Sequence, residues 1–237
     1  AHAWNTSWGV STRLVGGLVM THGDDGGVRI PPRLAPLEVV IVPIYRKDEE
    51  RAQVLEVAER VRASLVEHRR EGGPIRVRVD AREGMKPGAK YYEWELRGVP
   101  LRIELGPRDV QANQCVVVRR DSREKQPVSL DGLAGTLTTL LETMQGDMLR
   151  VARERLVANS VRERIDYGRF KELMEGQGAF VFAGWCGSAD CEAQVKEDTK
   201  ATIRVMPDPE FRSPEAPTHC LRCGGPATAE VVWARAY

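Results

Sequence analysis

The chain has 237 residues, 42% of them hydrophobic and 29% charged, a soluble globular profile able to bury a core of useful size. Its net charge of +1 excludes a global cationic field for nucleic acid, though a local patch suffices for RNA, and the positive charge is carried mostly by arginine. No apolar run is long enough to span a bilayer, and the opening AHAWNTSWG lacks the basic and apolar regions of a signal peptide, so a cytoplasmic setting is expected.

Residues 1–36 do not read as a complete unit. They hold a strand-like stretch, a Gly-rich turn at Gly16 and Gly17, the apolar LVM and then HGDDGG. The following IPPRLAP has three prolines in seven residues and reads as an extended linker. From 37 to 158 strands and helices alternate. Leu37 to Ile44 is a continuous apolar strand. Asp48 is expected to cap a helix to about Arg70, with Val54, Val57, Val61 and Leu65 at three- and four-residue spacing, and Gly72, Gly73 and Pro74 stop it. Strands follow at Ile75 to Val79, Leu101 to Leu105 and Gln114 to Arg119. A short helix fits Ala89 to Leu96, ended by Gly98. A long helix fits Leu133 to about Val157, with Leu137, Leu140, Met144, Met148 and Val151 on one side. Such alternation predicts an α/β unit with a mixed sheet under helical cover. Residues 159–237 predict a smaller α+β unit. It has a helix at Tyr167 to Glu175 and strands at Ala179 to Ala183, Ala201 to Val205 and Ala229 to Trp233, with cysteine pairs at the turns.

The pairs are Cys186 with Cys191 and Cys220 with Cys223, in a pattern of C-x4-C, twenty-eight residues, then C-x2-C. Two short thiol knuckles joined by a longer loop suit tetrahedral Zn2+, and Gly187, Ser188, Gly224 and Gly225 permit tight turns beside them. Four protein ligands leave no open position, so such a site is structural. His219 abuts Cys220 and is a poor substitute ligand. Cys115, alone in the run CVVV, reads as a buried strand residue.

The opening carries TSWG (Thr6 to Gly9), STR (Ser11 to Arg13) and PPRLAP (Pro31 to Pro36). These words resemble motif 3 of class II aminoacyl-tRNA synthetases in the form found in prolyl-tRNA synthetases. There, Thr12 stands where most of the class has an acid. The block from Gly88 to Asp121, with GVP at Gly98 to Pro100 and the turn Gly106-Pro107-Arg108-Asp109, resembles the anticodon-binding domain of the glycyl, histidyl, threonyl and prolyl enzymes. A cysteine-bearing C-terminal domain resembles the archaeal/eukaryote-like prolyl type.

The resemblance implies an order of motif-3 segment and linker (1–36), anticodon-binding domain (37–158) and zinc-binding domain (159–237). It also implies an ATP-dependent proline–tRNA ligase, with Mg2+, that is a homodimer acting on proline and tRNA(Pro). Arg13 is then the clamp on the ATP γ-phosphate, with Ser11 beside it. Motifs 1 and 2 are not visible, so the chain by itself is expected to bind tRNA without charging it. The Tyr237 carboxylate either approaches the catalytic site or is an ordinary chain end. Proline anticodons contain two guanines, and a guanine reader wants arginine for O6 and N7 and a carboxylate for N1–H and N2–H. Glu95, Arg102 and Asp109 are the candidate readers, and Arg108, Lys90 and Lys86 the candidate phosphate contacts. Two other classes compete with this reading: a stand-alone zinc-containing RNA-binding module, and a redox or metal-delivery protein. Neither needs an ATP arginine followed by a proline-rich segment.

Overall fold

The computed structural model describes residues 3–235, so Tyr237 lies outside the described residues. The chain divides into two compact units, residues 1–152 and 153–237.

The first unit is built on a five-stranded sheet in the order β2-β1-β3-β4-β5. The strands are β1 (Val39–Pro43), β2 (Val77–Val79), β3 (Leu101–Leu105), β4 (Gln114–Arg119) and β5 (Lys125–Ser129). β1 runs parallel to β2 and β3, while β3, β4 and β5 are mutually antiparallel. Every residue of β1 is buried, as its unbroken apolar run requires of a central strand covered on both faces. On one face lie α2 (Asp48–Glu67) and α5 (Leu133–Ala158). Val54, Val57, Ala58, Val61, Leu65, Leu137, Leu141 and Met144 meet Val39, Ile41, Leu101, Ile103 and Leu105 there. On the other lies α3 (Pro87–Leu96), whose Trp94 packs on Val40, Val42 and Val99.

Several local readings are corrected. The strand-like stretch and Gly-rich turn near the start are replaced by a helix, α1 (Arg13–His22), that runs through Gly16 and Gly17. A strand must find a neighbour for its backbone, whereas a helix satisfies its own; Leu14 and Val15 donate to Ser11 and Thr12 to start it. The proline-rich segment is not a free linker. Leu34 and Ala35 donate to the Pro31 carbonyl to close a turn, and Pro31, Pro32 and Ala35 are buried. Arg76 donates Nε to the Ala35 carbonyl and Nη2 to that of Pro32, at 2.8 and 2.9 Å. α2 ends at Glu67, three residues early, because Arg70 turns back to the buried Glu38 carboxylate. The Gly106 turn is the start of a short helix, α4 (Pro107–Gln111). β5 went unread because KQPVS carries a proline and no apolar alternation, which only an edge strand tolerates. In α5 the buried stripe is Leu133, Leu137, Leu141, Met144 and Met148; Leu140 is half-buried and Val151 exposed.

The second unit has a four-stranded sheet in the order β6-β7-β9-β8. Its strands are β6 (Ser160–Val161), β7 (Phe180–Trp185), β8 (Ala201–Val205) and β9 (Ala229–Arg235). α6 (Tyr167–Glu175), N-capped by the Asp166 carboxylate on the Arg169 N–H, places Phe170 and Met174 against Val181, Val231 and Trp233. α7 (Ala189–Thr199) was not anticipated: it buries only Val195 and Thr199, too few to give a helical apolar period. Cys191 therefore sits on a helix, not in a turn.

Candidate nucleic-acid interface and metal centre

The α3 face of the first sheet gathers most of the candidate readers. Register explains why: Arg102 of β3 pairs with Val40 on one side and Val118 on the other, and Val118 pairs with Lys125 of β5. These residues form one row across the sheet and point to one face, and Glu104, two residues along β3, shares it. Arg102 is only 6% exposed. Its Nη1 donates to Glu95 Oε1 at 2.7 Å, and its Nε and Nη2 donate to Glu104 Oε1 at 3.2 and 3.0 Å. Lys125 Nζ reaches the same Glu104 oxygen at 3.1 Å. The Arg102 guanidinium lies 4.2 Å from the centre of the Tyr91 ring.

Tyr91, Glu104 and Lys125 belong to this cluster and were missed in the sequence. The signal was present: Tyr91 is one helical turn before Glu95, and Glu104 has the strand parity of Arg102. Burial pushes the Tyr91 hydroxyl up to about 12, with Glu104 and Asp109 adding to the shift and Arg102 opposing it. The phenol is therefore a neutral donor at ordinary pH.

The remaining candidates fall into different settings. The Asp109 carboxylate accepts the Gly106 N–H at 2.9 Å and caps α4. Arg108 and Lys86 are exposed. Lys90 is corrected: it is 3% exposed, its Nζ donates to the Asp80 carbonyl at 2.9 Å, and it presents no face to a phosphate. The reason lies in Asp80, a buried carboxylate that also accepts from Arg82 Nε and Nη2 and from Trp94 Nε1 at 2.8–2.9 Å. Burial alone would raise the Asp80 carboxyl, but these donors and the Lys90 charge outweigh it and hold it below the usual range. Ser11 and Arg13 are exposed at the start of α1, the Arg13 N–H lying 3.4 Å from Ser11 Oγ.

Gly98 fixes how the early segment meets this face. Its φ is +72°, and an added Cβ would lie 2.5 Å from the Val28 side chain. Only glycine permits both the left-handed turn after α3 and the close passage of residues 28–30, where Val28 and Ile30 donate to the Leu96 and Gly98 carbonyls.

In the second unit the sulfur atoms of Cys186, Cys191, Cys220 and Cys223 lie within 4.8 Å of one another. A tetrahedral Zn2+ with bonds of ~2.3 Å needs sulfurs separated by ~3.8 Å, so a small contraction would close the shell. Burial raises the Cys220 thiol, but backbone N–H groups of Cys223, Arg222 and Cys186 outweigh it and lower it to about 7. Donors aimed at sulfur are what a metal-held thiolate needs. His219 is not one of the set; its ring nitrogen Nδ1 is 2.8 Å from Thr218 Oγ1. Gly184 makes the assembly possible. The Leu221 N–H donates to the Gly184 carbonyl at 2.9 Å, and an added Cβ would meet the His219 carbonyl oxygen at 2.2 Å. A side chain there would drive the second knuckle off β7.

Residues 38–140 match the family model described as "Anticodon binding domain". That part of the first unit is thus an anticodon-binding α/β domain. Residues 167–237 match the model described as "Prolyl-tRNA synthetase, C-terminal", so the chain resembles the C-terminal part of prolyl-tRNA synthetases. Similar proteins named proline–tRNA ligase include that of Lachnospira eligens, 44% identical over 98% of this chain and 46% of its own length. That of Cenarchaeum symbiosum is 44% identical over 99% of this chain and 47% of its own length. The chain therefore spans less than half the length of these relatives. Among the described residues, no helix is long and apolar enough to cross a membrane.

Proposed function

We propose that this chain is the tRNA-reading part of a proline–tRNA ligase of the archaeal/eukaryote-like type. The whole protein would join proline to tRNA(Pro) at the expense of ATP, with Mg2+, as a homodimer in the cytoplasm. Arg13 would clamp the ATP γ-phosphate with Ser11 beside it. By itself this stretch would bind tRNA through its anticodon-binding domain. Domain limits of 1–36, 37–158 and 159–237 accompany this reading. A structural Zn2+ on Cys186, Cys191, Cys220 and Cys223 would tie the knuckles together; the four thiols fit its chemistry and leave no position for a substrate.

One observation carries the reading: the partly exposed Glu95 carboxylate is bonded to the buried Arg102 on the α3 face of an anticodon-binding domain. Glu95, whose side chain is 37% exposed, would accept N1–H and N2–H of an anticodon guanine. Arg102 holds that carboxylate through Nη1, and its Nε and Nη2, now on Glu104, would turn to the same base when it binds. Asp109, in the first turn of α4 just after β3, would complete the acidic side, and Arg108 and Lys86 would bear on the phosphates.

The test is filter binding at one salt concentration to anticodon stem-loops with both guanines or with either replaced. Arg102→Ala is expected to cost about 1–3 kcal/mol on the two-guanine RNA and less on the others. Equal losses on all RNAs would reduce Arg102 to a backbone contact, and no loss would remove it from the site.

A further inference from the structure

Arg120 follows β4 and is 4% exposed, yet it carries a charge. Its whole fork is used. Nη1 and Nη2 donate to the two oxygens of Asp24 at 2.9 and 2.6 Å, and Nε donates to the backbone carbonyl of Glu95 at 2.9 Å. We infer that Asp24 and Arg120 form a positioning pair that sets Glu95, and so tunes anticodon discrimination, from a segment upstream of the anticodon-binding domain; the inference rests on the anticodon reading proposed above.

Asp24 is itself pre-set. Its Oδ1 accepts the Gly26 N–H at 2.9 Å, and Asp24 and Gly27 exchange both backbone hydrogen bonds at 3.0 Å. This tight turn rests on the last turn of α3: an added Cβ at Gly27 would lie 2.7 Å from Leu96 Cα. Arg29 and Arg123 complete a positive surround of Asp24 at 3.7 and 3.6 Å. Glu95 is thus held from two directions, by Arg120 on its carbonyl and by Arg102 on its carboxylate. Neutralising Asp24 leaves a buried guanidinium without its counter-charge. Arg120 then gains by moving to water, which releases the Glu95 carbonyl. A reader loses discrimination when its support loosens by a fraction of an ångström to an ångström.

The 237-residue chain and its variants Asp24→Asn, Arg120→Lys, Glu95→Gln and Asp24→Asn with Glu95→Gln are compared by binding at one salt concentration. The probes are anticodon stem-loops with two guanines and with one guanine replaced, and near-ultraviolet circular dichroism reports the fold. Arg120→Lys keeps the charge beside Asp24 but has no fork to reach the Glu95 carbonyl as well. Asp24→Asn and Arg120→Lys are each expected to weaken two-guanine binding by about tenfold and to leave the replaced RNA within about twofold. Once Glu95 is Gln, adding Asp24→Asn should change binding by less than about twofold, since the effect passes through Glu95. Two-guanine binding within about twofold of wild type for both variants would overturn the inference, as would an undiminished Asp24→Asn loss in the Glu95→Gln background. Should Asp24→Asn not fold, Arg120→Lys decides by the same limits. A wild-type chain that does not distinguish the two RNAs would instead overturn the anticodon reading itself, and this pair's role with it.

Discussion

In the first unit, a sheet buried on both faces carries the structure, and the charged cluster of Arg102, Glu95, Glu104 and Lys125 sits on a frame already closed by apolar packing. In the second, fewer side chains are buried around Phe170 and Trp233, and the first turn of α7 and the segments at Cys186 and at Cys220 to Cys223 converge on four thiols. The contrast follows from size. A small unit buries too little apolar surface to order long loops, and a cross-link supplies what burial does not. On the reading proposed above, ion pairs in the first unit set positions, whereas metal-held thiols in the second would set the fold.

The sharpest way to break this contrast is to remove a thiol. Zinc ligation contributes on the order of 10 kcal/mol in small zinc domains, more than a core of this kind replaces. Cys220→Ser, or strong chelation, is expected to release one zinc per chain and abolish the near-ultraviolet dichroism of Trp185 and Trp233. The first unit should still unfold cooperatively. A second unit that keeps its cooperative transition without metal would erase the distinction.

Gly184→Ala tests the same knuckle without touching sulfur. The clash with the His219 carbonyl is expected to cost about 3 kcal/mol and to loosen zinc retention, read by thermal unfolding and metal analysis. A transition at the wild-type temperature would contradict the geometry.

Asp80→Asn probes the first unit, at about 2 kcal/mol for disturbing its charged hydrogen bonds. Its pH dependence has a definite sign. The folded carboxyl lies below its unfolded value of ~3.9, so the stabilisation is complete above that pH and is lost as pH falls through the folded value. Urea midpoints at pH 5 and pH 3 should fall further apart in wild type than in Asp80→Asn; equal differences would show that Asp80 does not titrate with folding.

The smallest effect belongs to the exposed pair Glu59 and Arg62 on α2. Arg62→Gln is expected to change stability by ~0.3 kcal/mol, screened by salt, with no effect on RNA or metal binding. A larger change would mean that surface pairs carry more of the first unit than its buried sheet implies.

Apolar pattern made much of the fold legible. β3, β4, α6 and β8 fall where the apolar pattern places them, because each carries enough apolar side chains facing a core to show in the sequence. α7 and β5 escaped the same rules: one buries two residues, and the other is a polar edge. α1 escaped because a Gly-Gly pair reads as a turn, while the helix around it is held by its own backbone bonds.

For the site, the cysteine spacing by itself named the four residues that converge, and the motif words pointed to the proteins that the chain resembles. What only the tertiary structure decided is which charges meet. Lys90 and Arg102 are both cations near one helix in the sequence, yet one is consumed inside by Asp80 and the other is held beside Glu95. Asp24 and Arg120 are 96 residues apart and share no local pattern. Long-range ion pairs leave no period in a sequence, because the choice of partner depends on strand register and helix seating, which exist only once the core has closed.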